Sequence, residues 1–400
     1  MKAFSAGAAP AFSNKPSLGS QVIVAVLCRL VLNTARRFPY PFAPALSRGM
    51  GVPLTAVTSL IAATQATALL GTVSGPLTDR LGCRSVMLAG LAMLVVGMLA
   101  AGFWPTYGLV MAALLLAALG KTVFDPAIQA FIGARVPFER RGMVIGLLEF
   151  SWSGCTLLGI PAIGLLMAHH GWRSPFFVLG GLGLAGLAAL GLILPRDGRR
   201  PPAEGGPWRF WQQLIRQPQA LGTLGYAFWV SLANDNLFVI FGAWFEEAFH
   251  LSLTALGFGT VAIGAAELGG EALTALLGDR LGLKRSVLAG LCLSTACYAL
   301  LPLVGLSLWP ALAGLFVLFL SLEFTIVASL SLSTELVPGL RATMMAGFFA
   351  AAGIGRVAGA LLGGPVWLWG GIRATGMVST GASLAALACL LWGLKGWRHR

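Results

Sequence analysis

Long apolar runs separated by short polar segments extend along almost the whole chain. Most runs are roughly 18 to 27 residues long, enough for a helix to cross a hydrocarbon core about 30 Å thick. They are continuous, whereas the strands of a membrane barrel alternate in polarity over about ten residues. The pattern predicts twelve transmembrane helices, at 20–46, 54–77, 86–104, 109–132, 143–167, 175–194, 221–245, 254–277, 287–305, 310–332, 344–365 and 375–394.

Composition agrees with this pattern, since 57% of the residues are hydrophobic and only 10% are charged. The mean hydropathy of +0.83 lies well outside the usual balance of a soluble globular protein. We therefore expect an all-α integral membrane protein, surrounded by lipid and crossing the inner or plasma membrane many times.

The net charge of +13 raises the question of a nucleic-acid partner. Of the 27 Lys and Arg residues, only Arg48, Arg173 and Arg373 fall in loops predicted to face outward. This asymmetry is the positive-inside rule, so the basic residues indicate orientation and not a polyanionic ligand. Both termini are predicted to be cytoplasmic, and no nucleic-acid partner is expected.

The two halves of the chain repeat each other. The tetrapeptide DRLG occurs at 79–82 and again at 279–282, and V-P-x-x-R-x-x-M-x-x-G occurs at 136–146 and 337–347. These repeats in register predict a duplication into two six-helix bundles. The predicted domains are an N-terminal tail (1–19), a first bundle (20–194), a cytoplasmic linker (195–220), a second bundle (221–394) and a C-terminal tail (395–400).

Catalytic and metal-binding patterns are not found in the sequence. The six cysteines lie mostly inside predicted helices without a C-x-x-C spacing, and the four histidines fall at membrane edges or near the terminus. We therefore expect neither an enzyme nor a metal or other cofactor.

Charged residues inside predicted spans are the main candidates for function, because each costs at least about 2.5 to 3.5 kcal/mol at bilayer depth. The first half carries more bases than acids and the second half more acids than bases, which predicts a cavity with one basic and one acidic wall. The bases are Arg29, Arg36, Arg37, Lys121 and Arg356, and the acids are Asp125, Glu149, Asp235, Glu267, Glu271 and Glu323.

The repeat places Arg36 opposite Asn236, the neighbour of Asp235. Because the first and seventh helices are symmetry partners that line the cavity, Arg36 or Arg37 and Asp235 are expected within reach of each other or of one ligand. Pro39 and Pro41 break the first helix at this level. The residues assigned to solute binding are Arg36, Arg37, Lys121, Asp235 and Trp152.

Acidic residues in the same set are candidates for proton coupling. Glu267 and Glu271 stand at i and i+4, and two like charges in a low dielectric favour retention of one proton. The full set is Asp235, Glu267, Glu271, Glu149, Asp125 and Glu323.

Structural ion pairs are the alternative interpretation of these charges. Lys121 and Asp125, also at i and i+4, can neutralise each other, and Glu323 can pair with Arg356. Arg29 is expected near the inner leaflet, where its guanidinium can reach the interface.

The segment GPLTDRLGCR at 75–84 resembles the loop signature of the major facilitator superfamily through Gly75, Leu77, Asp79, Arg80, Gly82 and Arg84, with Thr78 and Cys83 as departures. ERRG at 139–142 and GWR at 171–173 also resemble loops of that family. The resemblance implies a monomeric twelve-helix transporter with alternating access and a cytoplasmic gate formed by Gly75, Asp79, Arg80, Arg84, Arg135, Asp279 and Arg280.

The direction of solute transport is indicated by one partial resemblance. The segment GCTLLGIPAIG at 154–164 partly resembles the fifth-helix signature of proton-coupled antiporters, although their fourth-helix Arg is absent here. The favoured function is proton-coupled efflux of a small organic solute, anionic or zwitterionic. The alternatives are import of an organic anion in symport with protons, and a membrane sensor or scaffold that does not transport.

Overall fold

In the computed structural model, residues 17–70, 78, 81–135, 148, 150–195, 214, 216–336 and 341–395 are described. Within them the regular secondary structure is helical and contains no strand. Ten helices are long and apolar enough to cross a membrane, or eleven if the bent pair Ala43–Met50 and Leu54–Ala66 counts as one span. The all-α membrane class is confirmed for this part of the chain, which contains ten or eleven candidate spans by this criterion and not the predicted twelve.

The helices are numbered here in chain order. They are α1 (Leu18–Arg37), α2 (Ala43–Met50), α3 (Leu54–Ala66), α4 (Cys83–Phe103), α5 (Tyr107–Arg135), α6 (Phe150–His170), α7 (Ser174–Ile193), α8 (Pro218–Phe238), α9 (Phe241–Phe249), α10 (Leu253–Leu281), α11 (Leu283–Val304), α12 (Leu308–Leu336) and α13 (Arg341–Gly393).

The first predicted span is broken where its prolines stand. α1 ends at Arg37 and the chain resumes as α2 at Ala43, because Pro39 and Pro41 lack the backbone N–H that a continuing helix needs. The corresponding helix of the second half, α8, also ends at this level and resumes as α9. Both halves therefore leave a helix end near the middle of the molecule, where backbone and side-chain polar groups can line a cavity.

Glycines at corresponding positions of the two predicted repeats have similar backbone angles. Gly82 precedes α4 with φ 84°, and Gly282 precedes α11 with φ 80°. Gly171 and Gly371 form a second pair, with φ 79° and 58°. Positive φ is readily adopted only by glycine, so the repeated glycines mark equivalent turns in the two halves. Gly371, with Gly370, also breaks the 53-residue α13 into two segments.

Helices within each half pack closely, as α4 does against α5 and α7, and α8 against α13. The two halves meet where α3 packs against α13 and α6 against α10. Small residues permit this approach: a Cβ added to Gly164 would lie 2.8 Å from the carbonyl oxygen of Leu253. Gly164 lies near the end of α6 and Leu253 begins α10, and we call this side of the molecule the distal side.

Candidate functional site

A cavity lies between the two halves, at the level where α1 and α8 end. Its volume, counted as the space open to the centres of water molecules, is about 60 Å³, which is enough for several waters. Charged, aromatic and amide side chains from both halves line it. The first half contributes Arg36, Arg37, Tyr40, Gln65 and Trp152, and the second contributes Asn234, Asp235, Phe238, Glu267, Phe319, Leu322, Glu323, Ile326 and Arg356.

A bidentate ion pair joins the halves across this cavity. Arg37 Nη2 lies 2.6 Å from Glu267 Oε1, and Nη1 donates to Oε2 at 3.1 Å. Both residues are buried, with exposed fractions of 6% and 3%. The guanidinium also lies over the ring of Trp152, 4.4 Å from its centroid. Two parallel N–H···O bonds with an aromatic face behind the cation are the arrangement that best offsets desolvation of a buried pair.

A π-helical turn in α6 adds a second link at the same place. Cys155–Gly159 is π-helical and lies inside the glycine-rich segment that the sequence singled out. Thr156 donates to Glu267 Oε2 at 3.2 Å, and its carbonyl accepts from Thr260 of α10 at 3.2 Å. A π-helical turn contains one more residue than an α-helical turn and therefore changes the local hydrogen-bond register. In this turn the Thr156 carbonyl accepts a hydrogen bond from Thr260 of the other half.

A second set of contacts runs from Arg36 to Asp235. Arg36 Nη2 donates to Gln65 Oε1, Gln65 Nε2 donates to the Tyr40 hydroxyl, and that hydroxyl donates to Asp235 Oδ1 at 2.9 Å. Arg356 Nε lies 3.9 Å from Asp235 Oδ2. Among the described residues, no carboxylate lies within ion-pair distance of Arg36.

The prediction that Arg36 or Arg37 lies within reach of Asp235 can now be compared with the observed contacts. Arg37 pairs with Glu267, whereas Arg36 reaches Asp235 only through Gln65 and Tyr40. The acidic partner of Arg356 at 3.9 Å is Asp235. Glu323 lines the same cavity, and Glu271, four residues beyond Glu267 on α10, is half-buried and is not among the residues that line it.

Three charged residues form a buried cluster inside the first half. Asp125 accepts from Arg29 Nε at 3.0 Å and from the Lys121 ammonium, which confirms the predicted Lys121–Asp125 contact. Arg29 also donates to the carbonyl of Leu148 and is only 5% exposed. The expectation that Arg29 extends toward the interface was wrong, because a carboxylate and a carbonyl satisfy its guanidinium inside the bundle.

This cluster adjoins the cavity through Trp152. The Lys121 ammonium lies 5.7 Å from the centroid of the Trp152 ring, whose face also contacts Arg37. Lys121 itself is not among the residues that line the cavity. The cluster therefore places a second cation beside the aromatic ring that contacts Arg37.

We expect Asp125→Asn to destabilise the protein more than Lys121→Met. The first change removes the carboxylate that both Arg29 and Lys121 contact, and breaking a buried pair costs about 3–5 kcal/mol, whereas the second preserves the Arg29–Asp125 pair. Melting temperatures of the two purified variants in one detergent measure the difference. Equal losses in the two variants would contradict the shared-carboxylate arrangement.

The predicted cytoplasmic gate lies mostly beyond the described residues. Gly75, Asp79 and Arg80 fall outside them, as does the proton-coupling candidate Glu149. Asp279 and Arg280 belong to the helical backbone of α10. Two further members are described: Arg84 donates to the carbonyl of Gly191 at 2.5 Å, and Arg135 lies over the ring of Phe131. The gate stays a prediction.

Sequence reasoning missed Tyr40 and Gln65 because both are uncharged. Two signals were available: Tyr40 stands between the prolines that break the first span, and Gln65 places an amide inside the predicted second span. Thr156 and Thr260 carried no comparable signal, since hydroxyl residues are common in membrane helices, where they bond to their own backbone.

Two related helical halves around a charged central cavity define the architecture of a secondary transporter. The sequence pattern of the Major Facilitator Superfamily matches residues 25–234, more than half of the chain. The chain belongs to this superfamily. It is therefore a multi-pass transporter of the inner or plasma membrane, and not an enzyme.

Relatives and solved structures agree with this assignment. The uncharacterized MFS-type transporter YceJ of Bacillus subtilis is 26% identical over 283 residues, covering 69% of this chain and 71% of the relative. YwfA of the same organism is 24% identical over 326 residues, covering 80% and 78%. The multidrug resistance protein MdtH of Blochmanniella floridana matches only 26% of each chain, at 29% identity.

Solved structures show the same fold at low identity. A POT family transporter in complex with 5-aminolevulinic acid has a TM-score of 0.79 at 15% identity, covering 97% of this chain and 98% of that one. An inward-facing, unoccupied bacterial homolog of the human lysosomal transporter Spinster has a TM-score of 0.71 at 14% identity, covering 94% and 96%.

Proposed function

We propose that this transporter moves a small organic anion or zwitterion by alternating access of its two halves, coupled to protons. Its bundles are residues 20–194 and 221–394, joined by the linker 195–220, with both termini cytoplasmic. Twelve spans follow if the bent pair formed by α2 and α3 counts as one and α13 counts as two at its break. The protein works as a monomer.

The observation that carries the proposal is the state of Arg36 in the cavity. Its guanidinium lines the space between the halves, and its hydrogen-bond partner there is the neutral Gln65 side chain. A carboxylate or phosphate of a solute supplies the anionic partner that a guanidinium binds most strongly, often with two hydrogen bonds. Tyr40, Trp152 and Phe238 offer apolar surface for the remainder of a small solute.

Proton coupling is supported by carboxylates placed between the halves. Protonation of Glu267 would remove the charge that holds Arg37, and protonation of Asp235 would weaken the hydrogen bond that it accepts from Tyr40 of the first half. Each event changes a contact that the halves must break or form as they move. Proton binding therefore biases the same equilibrium as solute binding, which is the thermodynamic requirement for coupling.

The direction of transport has support on both sides. The fifth-helix likeness and the partial match to a multidrug resistance protein favour efflux in exchange for protons. The Arg36 guanidinium in the cavity favours the other candidate, symport of an organic anion with a proton, because a proton added to the cavity strengthens anion binding.

Flux into reconstituted vesicles tests the function and its direction together. Oriented vesicles are offered labelled organic anions, zwitterions and cations under a pH gradient of either sign. Accumulation into acid-inside vesicles indicates antiport, and accumulation from an acid outside indicates symport. Arg36→Gln should weaken anion transport at least tenfold, since a charge-assisted bond contributes about 1.5–3 kcal/mol. Flux that does not change with the pH gradient excludes proton coupling. Absence of flux for every solute favours a membrane sensor that does not transport.

A further inference from the structure

We propose that Tyr40 and Gln65 are positioning residues that transmit the protonation state of Asp235 to Arg36. The inference deepens the proposed function, since it names the path by which a proton on one half changes the solute-binding cation of the other. It rests on a continuous hydrogen-bond chain, which we call the relay, from Arg36 through Gln65 and Tyr40 to Asp235.

The donor and acceptor roles along the relay are determined by its two ends. A guanidinium can only donate, so Gln65 must accept from Arg36 with Oε1 and donate with Nε2. The Tyr40 oxygen accepts that bond, and its single hydrogen is directed to Asp235 Oδ1. All three bonds are polarised in one direction, and hydrogen bonds aligned in this way strengthen one another.

Burial makes the relay sensitive to each of its members. Tyr40, Gln65 and Asp235 are each 3% exposed, so water cannot easily replace a lost bond. The relay also crosses the molecule, because Tyr40 follows α1, Gln65 belongs to α3, and Asp235 belongs to α8 of the other half. A change at Asp235 is therefore transmitted between the halves and not absorbed by solvent.

The charge of Asp235 is set by groups on several elements. Arg356 of α13 approaches Oδ2, and Tyr298 of α11 interacts with the carboxylate electrostatically. The remaining groups that share the cavity or the relay with it are Arg36, Arg37, Tyr40, Asn234, Glu267 and Glu323.

A proton that enters this site binds Oδ2, because Oδ1 already accepts from Tyr40. The neutral carboxyl is a weaker acceptor, so the polarisation along Tyr40 and Gln65 falls and Gln65 holds Arg36 less firmly. Arg36 is then free to bind an anion. The relay therefore predicts that the proton and the solute anion bind together, with each one strengthening the other.

Chemical reactivity of Arg36 tests the relay without knowledge of the solute. Phenylglyoxal modifies unengaged arginines, and peptide mass spectrometry resolves Arg36 from the exposed Arg173, which serves as the internal reference for reagent chemistry. In the wild-type protein the ratio of Arg36 to Arg173 modification should rise as the pH falls. In Asp235→Asn the ratio should be high, several-fold above the wild type near neutrality, and independent of pH.

Variants of the relay separate transmission from simple structural support. Tyr40→Phe should abolish the pH dependence of the ratio while retaining the ring. Gln65→Leu should raise the ratio, whereas Gln65→Glu should lower it at every pH because it gives Arg36 a carboxylate. Glu247→Gln, which removes an exposed carboxylate outside both the cavity and the relay, is the control and should keep the wild-type pH profile. Melting temperatures report whether each variant folds.

Three outcomes would overturn the relay. The first is a Tyr40→Phe protein with the wild-type pH profile, and the second is a Glu247→Gln protein that loses that profile. The third is Arg36 equally protected in wild type and in Asp235→Asn. These results are independent of transport, since a protein without proton-coupled flux can still show the relay, and proton-coupled flux can persist without it. The vesicle measurement therefore decides the proposed function and the arginine measurement decides the relay.

Discussion

Glu267→Leu is expected to lower the free energy of unfolding by about 3–5 kcal/mol and to abolish transport, because it leaves Arg37 as a buried cation without a partner. Arg37 and Glu267 are nearly inaccessible to water, so solvent cannot compensate the lost charge. The double variant Arg37→Leu with Glu267→Leu should regain most of the stability while remaining inactive. Melting temperatures and vesicle flux measure the two effects separately.

A control is provided by an ion pair between the halves that lies at the surface. Arg48 Nη1 lies 2.5 Å from Glu246 Oε1, but the Arg48 side chain is 60% exposed. Exposed pairs contribute about 0–1 kcal/mol, so Glu246→Ala should change the melting temperature little. If the double variant at Arg37 and Glu267 were as unstable as the single one, the loss would come from packing and not from the unpaired charge.

Gly242→Ala is expected to prevent close contact of the halves on the distal side and to reduce transport at least tenfold. A Cβ at Gly242 would lie 1.9 Å from the carbonyl oxygen of Pro41, in the break that follows α1. Backbone cannot move aside as a flexible side chain can, so α9 must shift away from the first half. Flux into vesicles and the reactivity of a cysteine introduced at Val52 report activity and opening.

Gly181→Ala provides the control for the residue change itself. Gly181 is exposed within α7, and nothing lies within 4 Å of an added Cβ there. Alanine is favoured over glycine in a helix interior by about 1 kcal/mol, so this variant should be as stable as the wild type or more stable. A Gly242→Ala protein that behaves like Gly181→Ala would show that the Pro41 contact is not needed.

Local interactions were predicted correctly from spacing. Lys121 and Asp125 stand one turn apart on α5, and their contact follows from the helix alone. Gly82 and Gly282 close the two copies of the repeated DRLG tetrapeptide, and both have positive φ, 84° and 80°. In both cases the relevant geometry is set within a few residues, so neighbouring elements are not needed to derive it.

Partners distant in sequence could not be predicted in the same way. Arg37 and Glu267 are 230 residues apart, and sequence reasoning grouped Glu267 with Glu271 and directed both Arg36 and Arg37 toward Asp235. The surroundings of Arg29 were also predicted incorrectly. Its guanidinium was expected near the inner leaflet, but Asp125 of α5 and the Leu148 carbonyl accept hydrogen bonds from it inside the bundle.

The helical membrane class of this protein follows from its sequence alone, which also predicted the repeat and the charges inside apolar segments. Those inferences rest on the transfer of apolar segments into lipid and on local patterns, which are sums over neighbouring residues. Which charge meets which depends on the tertiary structure. Successive helix residues point about 100° apart, so the rotation of α1 and the docking of the two halves directed Arg37 to Glu267 and Arg36 to Gln65.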